Sequence, residues 1–331
     1  MEGDDRPGSG HGDTTSPPGP LTGGHSDDGD RAEPGTAGIP AGPPEYPPLF
    51  AAADSTAIGG ERASVRFTVF DILLVLVGAI FTAAVSFTAN AAAQNTLSAI
   101  AAVIFLITWA EKTASVRFPF TRSWFEGRSV AETVKSISWR YMMHVSPFQG
   151  ESADEELLTA LHSVLRDESL AVLPEAATRV DERQITPYLR AVRALPLEGR
   201  KSCYLRQRLE DQLGYYESRA EGHGVSARRW RRAGLVFRAA TFVFAILRFW
   251  VATAASLVGV FVNLTVAVTA WTQLIKHDEL THGYARVAHS LQILRRRLEA
   301  SMDEASVERV VIETEGVISQ EESAWKAKRV Q

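Results

Sequence analysis

The sequence predicts an all-α membrane protein: two transmembrane helical hairpins, four spans in all, joined to a cytoplasmic helical bundle behind a disordered N-terminal tail. Three observations carry this expectation. Two apolar stretches, Phe67 to Ala110 and Ala233 to Leu274, are each about twice the ~20 residues that one helix needs to cross a bilayer. Arginine and lysine gather at the outer flanks of both stretches and almost vanish from their middles. The remaining apolar residues recur at helical spacing, with no alternating run long enough to suggest a sheet.

The chain divides into four segments: a tail over 1–62, a first hairpin with its following helix over 63–145, a helical linker over 146–196, and a second hairpin with flanking helices over 197–331. The tail holds most of the prolines, over half of the glycines and much of the acidic charge behind the net −4. Such a composition cannot bury enough apolar surface to offset its ordering entropy. Its acidic start and lack of an apolar core before Phe67 also do not read as a secretory signal.

In the first hairpin, Asp71 is the only charge up to Ala110, and Asn90, Gln94 and Asn95 are the best turn formers. Helix one is expected at 69–89 and helix two at 93–110, with Trp109 at the exit interface. The second hairpin follows Arg228, Arg229, Trp230, Arg231 and Arg232 and ends at Lys276. Two turn positions are open for it. With the turn after Trp250, Arg238 snorkels to the near interface and Arg248 reaches the far one. A turn at Ser256 to Gly259 would strand Arg248 inside the hydrocarbon, where no acidic residue of the stretch could pair with it.

Arg62 and Arg66, then Lys112, Arg117 and Arg122, then the Arg228 to Arg232 cluster, then Lys276 all flank the spans on one side. The positive-inside rule therefore puts both termini and the middle segment in the cytoplasm of a multi-pass plasma-membrane protein. The cluster itself reads as a stop-transfer and orientation signal ahead of an anionic-lipid or nucleic-acid patch. The overall charge gives no argument for nucleic acid.

Small residues spaced by four, such as Ala79 and Ala83 or Ala255 and Gly259, would let spans approach closely. Asn263, in the middle of the last span, wants an interhelical hydrogen bond or lines a polar path. Homo-oligomerisation is expected, because four thin spans need copies to enclose water.

Outside the spans, Trp124, Ala131, Val134, Ser138 and Tyr141 share one helix face, with Arg128 and Glu132 in ion-pair register. Pro147 and Gly150 end that helix, and Leu157, Leu158, Leu161, Val164 and Leu165 form the apolar stripe of another over Glu151 to Glu168. Leu205, Leu209, Leu213, Tyr216 and Ala220 step close to a coiled-coil seam over a helix expected from 197 to about 220. Tyr284 to Leu298 and Val307 to Trp325 continue the pattern. Each hairpin exits through a tryptophan, Trp109 or Trp271, followed by an aromatic that opens an amphipathic helix, Trp124 or Tyr284, a faint internal repeat.

No catalytic, cofactor-binding or metal set is legible. Phosphate loops, nucleophile elbows and ligand clusters are missing, so no enzyme and no cofactor are expected. The lone Cys203 reads as a bland helix residue, and histidines 144, 162, 223, 277, 282 and 289 as scattered, with His282 and His289 solvated on one face.

The helix Tyr204-Leu205, Arg208, Asp211-Gln212, Tyr215-Tyr216, Arg219-Ala220, leading through Trp230 into a hairpin, resembles the SLATT family, the SMODS- and SLOG-associating two-transmembrane effector domains of bacteria. The resemblance covers 190–328 best, including Glu313, Glu321 and Trp325. Tyr215 and Arg219 stand where members usually carry tryptophan and lysine. Residues 67–145, with Trp124, Arg128, Glu132, Lys135 and Trp139, look like a second, more diverged copy. The resemblance implies a membrane effector in a conflict or nucleotide-signalling system, pore formation being one proposed mode, and assigns no catalytic residue. The alternative is a non-conducting anchor or scaffold whose cytoplasmic helices bind protein partners. A transporter ranks third, since no intramembrane carboxylate or broken helix supplies coupling.

Overall fold

The computed structural model describes residues 40, 42–86, 88–115, 120–167, 180–251 and 254–330, and among these every regular element is helical. Ten α-helices follow in order: α1 (Pro48–Ser86), α2 (Ala91–Ser115), α3 (Phe120–Met142), α4 (Ala153–Asp167), α5 (Pro187–Arg193), α6 (Leu197–Tyr204), α7 (Glu210–Leu247), α8 (Ala254–Ile275), α9 (His277–Ala300) and α10 (Glu304–Val330). The chain forms two compact units, one over Ser218–His282 and the other over the rest of the described residues.

In the larger unit α1 begins well before the expected span. Residues 48–62, read as tail from their proline and glycine surroundings, are roughly the first four turns of α1. Leu49, Ala53 and Ala57, spaced by four, form the buried face that makes this possible. They face α3, where Gly127 permits backbone contact: a Cβ there would lie 2.8 Å from the Ala53 carbonyl oxygen and 3.0 Å from the Ala57 nitrogen. Trp139 Nε1, also on α3, donates to the Tyr46 hydroxyl at 2.9 Å just upstream. The rest of the expected tail, up to residue 39, lies outside the described residues.

Helix α3 is the centre of this unit. The face read from the sequence is buried along its length, from Trp124 through Ala131, Val134 and Ser138 to Tyr141, and Leu157, Leu161, Val164 and Leu165 of α4 are buried as well. Thr186 caps α5, its hydroxyl accepting from the Leu189 amide at 3.3 Å, with Pro187 at the first helical position.

The first hairpin turns three residues before the expected helix end, with α1 stopping at Ser86. Asn90 Oδ1 accepts from the amides of Ala92 at 2.9 Å and Ala93 at 3.4 Å, and Gln94 Nε2 donates to the Thr88 carbonyl at 2.6 Å. Two of the three amides chosen from the sequence therefore do close the turn. Below it the two helices pack at Gly78, where a Cβ would meet Ile104 Cγ2 at 3.2 Å.

The helix expected from 197 to 220 is longer and carries an irregularity. Between α6 and α7, Leu205–Leu209 forms one π-helical turn whose last bond runs from the Glu210 amide to the Leu205 carbonyl. The helix then continues through Arg228 to Arg232 without a break, to Leu247. The basic cluster therefore sits mid-helix. Among the described residues α1, α2 and α3 count 39, 25 and 23 residues, and α7, α8 and α9 count 38, 22 and 24. The faint tryptophan repeat is thus matched by a repeat of element lengths.

Two helices among the described residues are long and apolar enough to cross a membrane, one over Ala91–Ala110 and one beginning at Leu257, each with mean hydropathy 1.6 and almost none of its surface buried. The apolar part of α7, from Ala233 to Leu247, covers only about 22 Å at ~1.5 Å per residue, below the roughly 30 Å of a hydrocarbon core. The expected third span, 233–250, loses its end to a turn: residues 248–250 leave the helix, the Trp250 and Val251 amides both bonding to the Leu247 carbonyl at 2.9 Å.

Candidate functional site

Among the described residues the interior holds a buried ion cluster at the π-helical turn. Widening the helix at Leu205–Leu209 brings Tyr204 and Arg208 inward, and such turns often mark functional positions. Arg208 is 1% exposed, so its guanidinium has no access to water. Glu315 of α10 meets it in a forked pair, Nε at 3.0 Å and Nη2 at 2.7 Å, and also accepts from the Tyr204 hydroxyl at 2.9 Å. On the other side, Arg208 Nη1 lies 3.8 Å from Glu132 of α3. Neither atom of that second contact has a hydrogen-bond partner among the described residues.

Glu132 is the hub of the α3 side. Arg128 reaches it at 2.7 Å and Lys135 at 3.6 Å. Burial pushes its carboxyl up, but Lys135, Arg128 and Arg208 together outweigh that and hold it at about 2. Burial lowers the Lys135 ammonium, with Glu132 opposing, and its Nζ sits 5.3 Å from the Phe50 ring centre and 5.6 Å from that of Tyr46. Burial lowers Arg208, but Glu315, Glu132 and Tyr46 together outweigh it and raise the guanidinium, so it stays charged. Trp139 and Tyr204 close the cluster edge to face at 5.4 Å. The arrangement joins α3, the π-helical turn and α10 through enclosed charges, so it binds these helices together.

A second anchor lies one turn before it. Arg200, 3% exposed, donates to the carbonyls of Leu195 and Met143 at 3.1 Å each and pairs with Glu304, while Lys201 donates to the Ser301 carbonyl at 2.9 Å. Both tie α6 to the connection between α9 and α10.

In the smaller unit, His223 of α7 and His277 of α9 are 3% and 4% exposed and meet Nδ1 to Nδ1 at 3.0 Å. One nitrogen of that contact must donate and the other accept, so the accepting ring is neutral. Burial, His277 and Arg219 hold His223 at about 4, and burial lowers His277. Trp230 and Trp271 pack with ring centres 5.8 Å apart. At the far end Arg248 is exposed in the turn, its guanidinium 6.0 Å from the Phe249 ring centre.

The residues singled out from the sequence separate into groups. Tyr204, Arg208, Gln212 and Tyr216 are buried; Asp211 is exposed; Tyr215, Arg219 and Trp230 are half-buried. Tyr216 packs between Tyr215, at 5.3 Å, and Tyr284, at 6.0 Å. Asn263 is on α8, but its side chain lies outside the described residues, as do those of Glu321 and Trp325. Of the acidic tail residues chosen, Glu313 pairs with Arg297 at 3.0 Å on the surface; the buried acid is Glu315. The scattered histidines need a correction too: His282 and His289 are exposed, whereas His223 and His277 form the buried pair. Cys203 is buried and free, its thiol raised by burial. Among the described residues no group of three or more histidine, cysteine or acidic side chains could hold a metal ion.

Two sequence families account for most of this architecture. Residues 47–201 match the family described as SMODS and SLOG-associating 2TM effector domain 3, and residues 204–325 match SMODS and SLOG-associating 2TM effector domain 1. The boundary falls just before the π-helical turn, so Glu132 lies in the first match, and Arg208 and Glu315 in the second. The first match also takes in 146–196. No curated protein and no solved structure matches the chain.

Proposed function

Since the chain belongs to the SLATT family and carries two copies of its domain in tandem, we propose that it is a four-span membrane effector whose hairpins assemble between copies of the chain and permeabilise the bilayer. Both termini and the helical base lie in the cytoplasm, where a protein partner or signal acts on the base. The chain does this without catalysis. The observation that carries the reading is the contrast in burial. Trp139, Tyr204, Leu157 and Leu291 are wholly enclosed, while Leu106, Trp109, Phe242 and Val266 each leave more than half of their surface open. An apolar surface of that extent suits lipid, not water.

The short apolar end of α7 is compatible with a span. Phe249 and Trp250 extend it into the turn as an interfacial aromatic pair. Arg238 snorkels back toward the cytoplasm, and local thinning takes up the rest of the mismatch.

Induced expression of the full chain in cells carrying a membrane-potential dye is expected to depolarise them. Asn263→Leu, which removes the one amide from the middle of the last span, is expected to abolish the response while leaving membrane insertion intact. Undiminished potential with the inserted wild-type chain, in the presence of its genomic neighbours, would favour the non-conducting scaffold instead.

A further inference from the structure

The base of the second hairpin holds a cleft of about 450 Å³ between α7 and α8, lined among others by Arg231, Arg238, Thr269, Thr272 and Lys276. A cleft of that size is in the range that encloses a small ligand. Its charges are not equivalent. Arg231 is held by Asp278 at 3.0 Å and Lys276 by Glu279 at 3.6 Å, and both carboxylates also line the cleft. Arg238, seven residues beyond Arg231 on the same face of α7, makes no ion pair among the described residues. It stands beyond Ala233, where the apolar part of α7 has begun, so an unneutralised guanidinium there faces the level of lipid head groups.

The basic groups of the cleft are what would hold an anion at that level. The Thr269 and Thr272 hydroxyls donate to backbone carbonyls, at 2.8 and 2.9 Å, so their protons are already engaged. The charged donors to a ligand are thus the guanidinium and ammonium groups, with the Gln273 amide and Trp230 indole also in the lining. Gly234 leaves the wall open, the nearest atom to a Cβ there being Val268 Cγ1 at 3.6 Å. At the level of the cleft Leu235, Val236 and Val266 are each more than 60% exposed, an apolar surface beside the charge that suits acyl chains. Basic pockets between membrane helices on the cytoplasmic side are suited to acidic head groups.

We propose that this cleft is a phosphate site occupied by the phosphodiester of an anionic phospholipid of the inner leaflet, with Arg238 as its main ligand and Lys276 as its second. The assignment rests on the second hairpin being inserted in the membrane, a premise that alkaline extraction checks separately.

The test is native mass spectrometry of the full chain released from nanodiscs of equal phosphatidylglycerol and phosphatidylcholine. The wild type is expected to retain phosphatidylglycerol at least fivefold over phosphatidylcholine. Arg238→Gln is expected to lose that preference, Arg238→Lys to keep most of it, and Arg248→Gln, at the opposite end of the hairpin, to leave it unchanged. Circular dichroism and membrane extraction show that the variants fold and insert. Glycerol phosphate in millimolar excess separates the sources: failure to displace the lipid assigns the site to the head group, and full displacement overturns that assignment in favour of a free phosphate. Equal retention of both lipids by the wild type, or an undiminished preference in a folded Arg238→Gln chain, overturns the proposal.

Discussion

Arg208→Ala is expected to lower the stability of the detergent-solubilised chain by ~3–5 kcal/mol, the usual cost of breaking a buried ion pair from one side. The reason lies in what is left behind. Glu315, 4% exposed, would lose both of its guanidinium bonds and keep only the Tyr204 hydroxyl, and no water reaches it to compensate. Glu132 suffers less, since Arg128 and Lys135 still hold it. In thermal unfolding the loss should appear as a fall in Tm on the order of 10 °C. Arg208→Met combined with Glu315→Leu removes both charges, so it is expected to recover at least half of that fall even though Tyr204 then lacks its acceptor. A single variant as stable as the wild type would show that the cluster holds nothing together.

Gly127→Ala is the second large effect, and here the sign decides the matter. Helix propensity alone favours alanine over glycine by ~1 kcal/mol in a helix interior, so a glycine without close neighbours gains from the change. Gly214 of α7 is such a position, with nothing within 4 Å of an added methyl; Gly214→Ala is expected to raise stability. At Gly127 the methyl would press on the backbone of α1, at 2.8 Å from one carbonyl oxygen, and backbone cannot turn aside as a side chain does. Overpacking of this kind costs ~1–3 kcal/mol, enough to reverse the propensity gain, and Gly127→Leu should release the first turns of α1 altogether. Limited proteolysis between residues 48 and 62 reads that release. A stabilised Gly127→Ala chain would contradict the close packing of α1 on α3.

The face of α3 was legible because its apolar residues keep a 3.6-residue period and its ion pair sits at i, i+4, both local facts. The start of α1 was hidden for the opposite reason. Its buried face is Leu49, Ala53 and Ala57, and two alanines beside prolines and glycines give a weak apolar signal. Glu315 could have been found: it follows Val311 by four and adjoins Thr314, so it shares the buried stripe, while Glu313 falls off it. That an acid sits on that stripe becomes meaningful only once Arg208 is known to face it, and the π-helical turn that aims Arg208 there leaves no mark in composition. The pairing of His223 with His277, 54 residues apart, is likewise a product of the hairpin's closure. The turn at Arg248 is a case where charge was enough: of the two positions open in the sequence, the chain adopts the one that keeps the guanidinium exposed.

We propose that both hairpins cross the bilayer with their flanking segments in the cytoplasm. Cysteine labelling tests it most directly, since the one native thiol, Cys203, is buried and Cys203→Ser gives a silent background. Four spans predict that an impermeant maleimide applied to intact cells labels Ala89→Cys and Arg248→Cys, in the two turns, and reaches Gly150→Cys only after permeabilisation. Labelling of Arg248→Cys only after permeabilisation, with Ala89→Cys labelled from outside, would contradict the account by leaving the second hairpin on the cytoplasmic side.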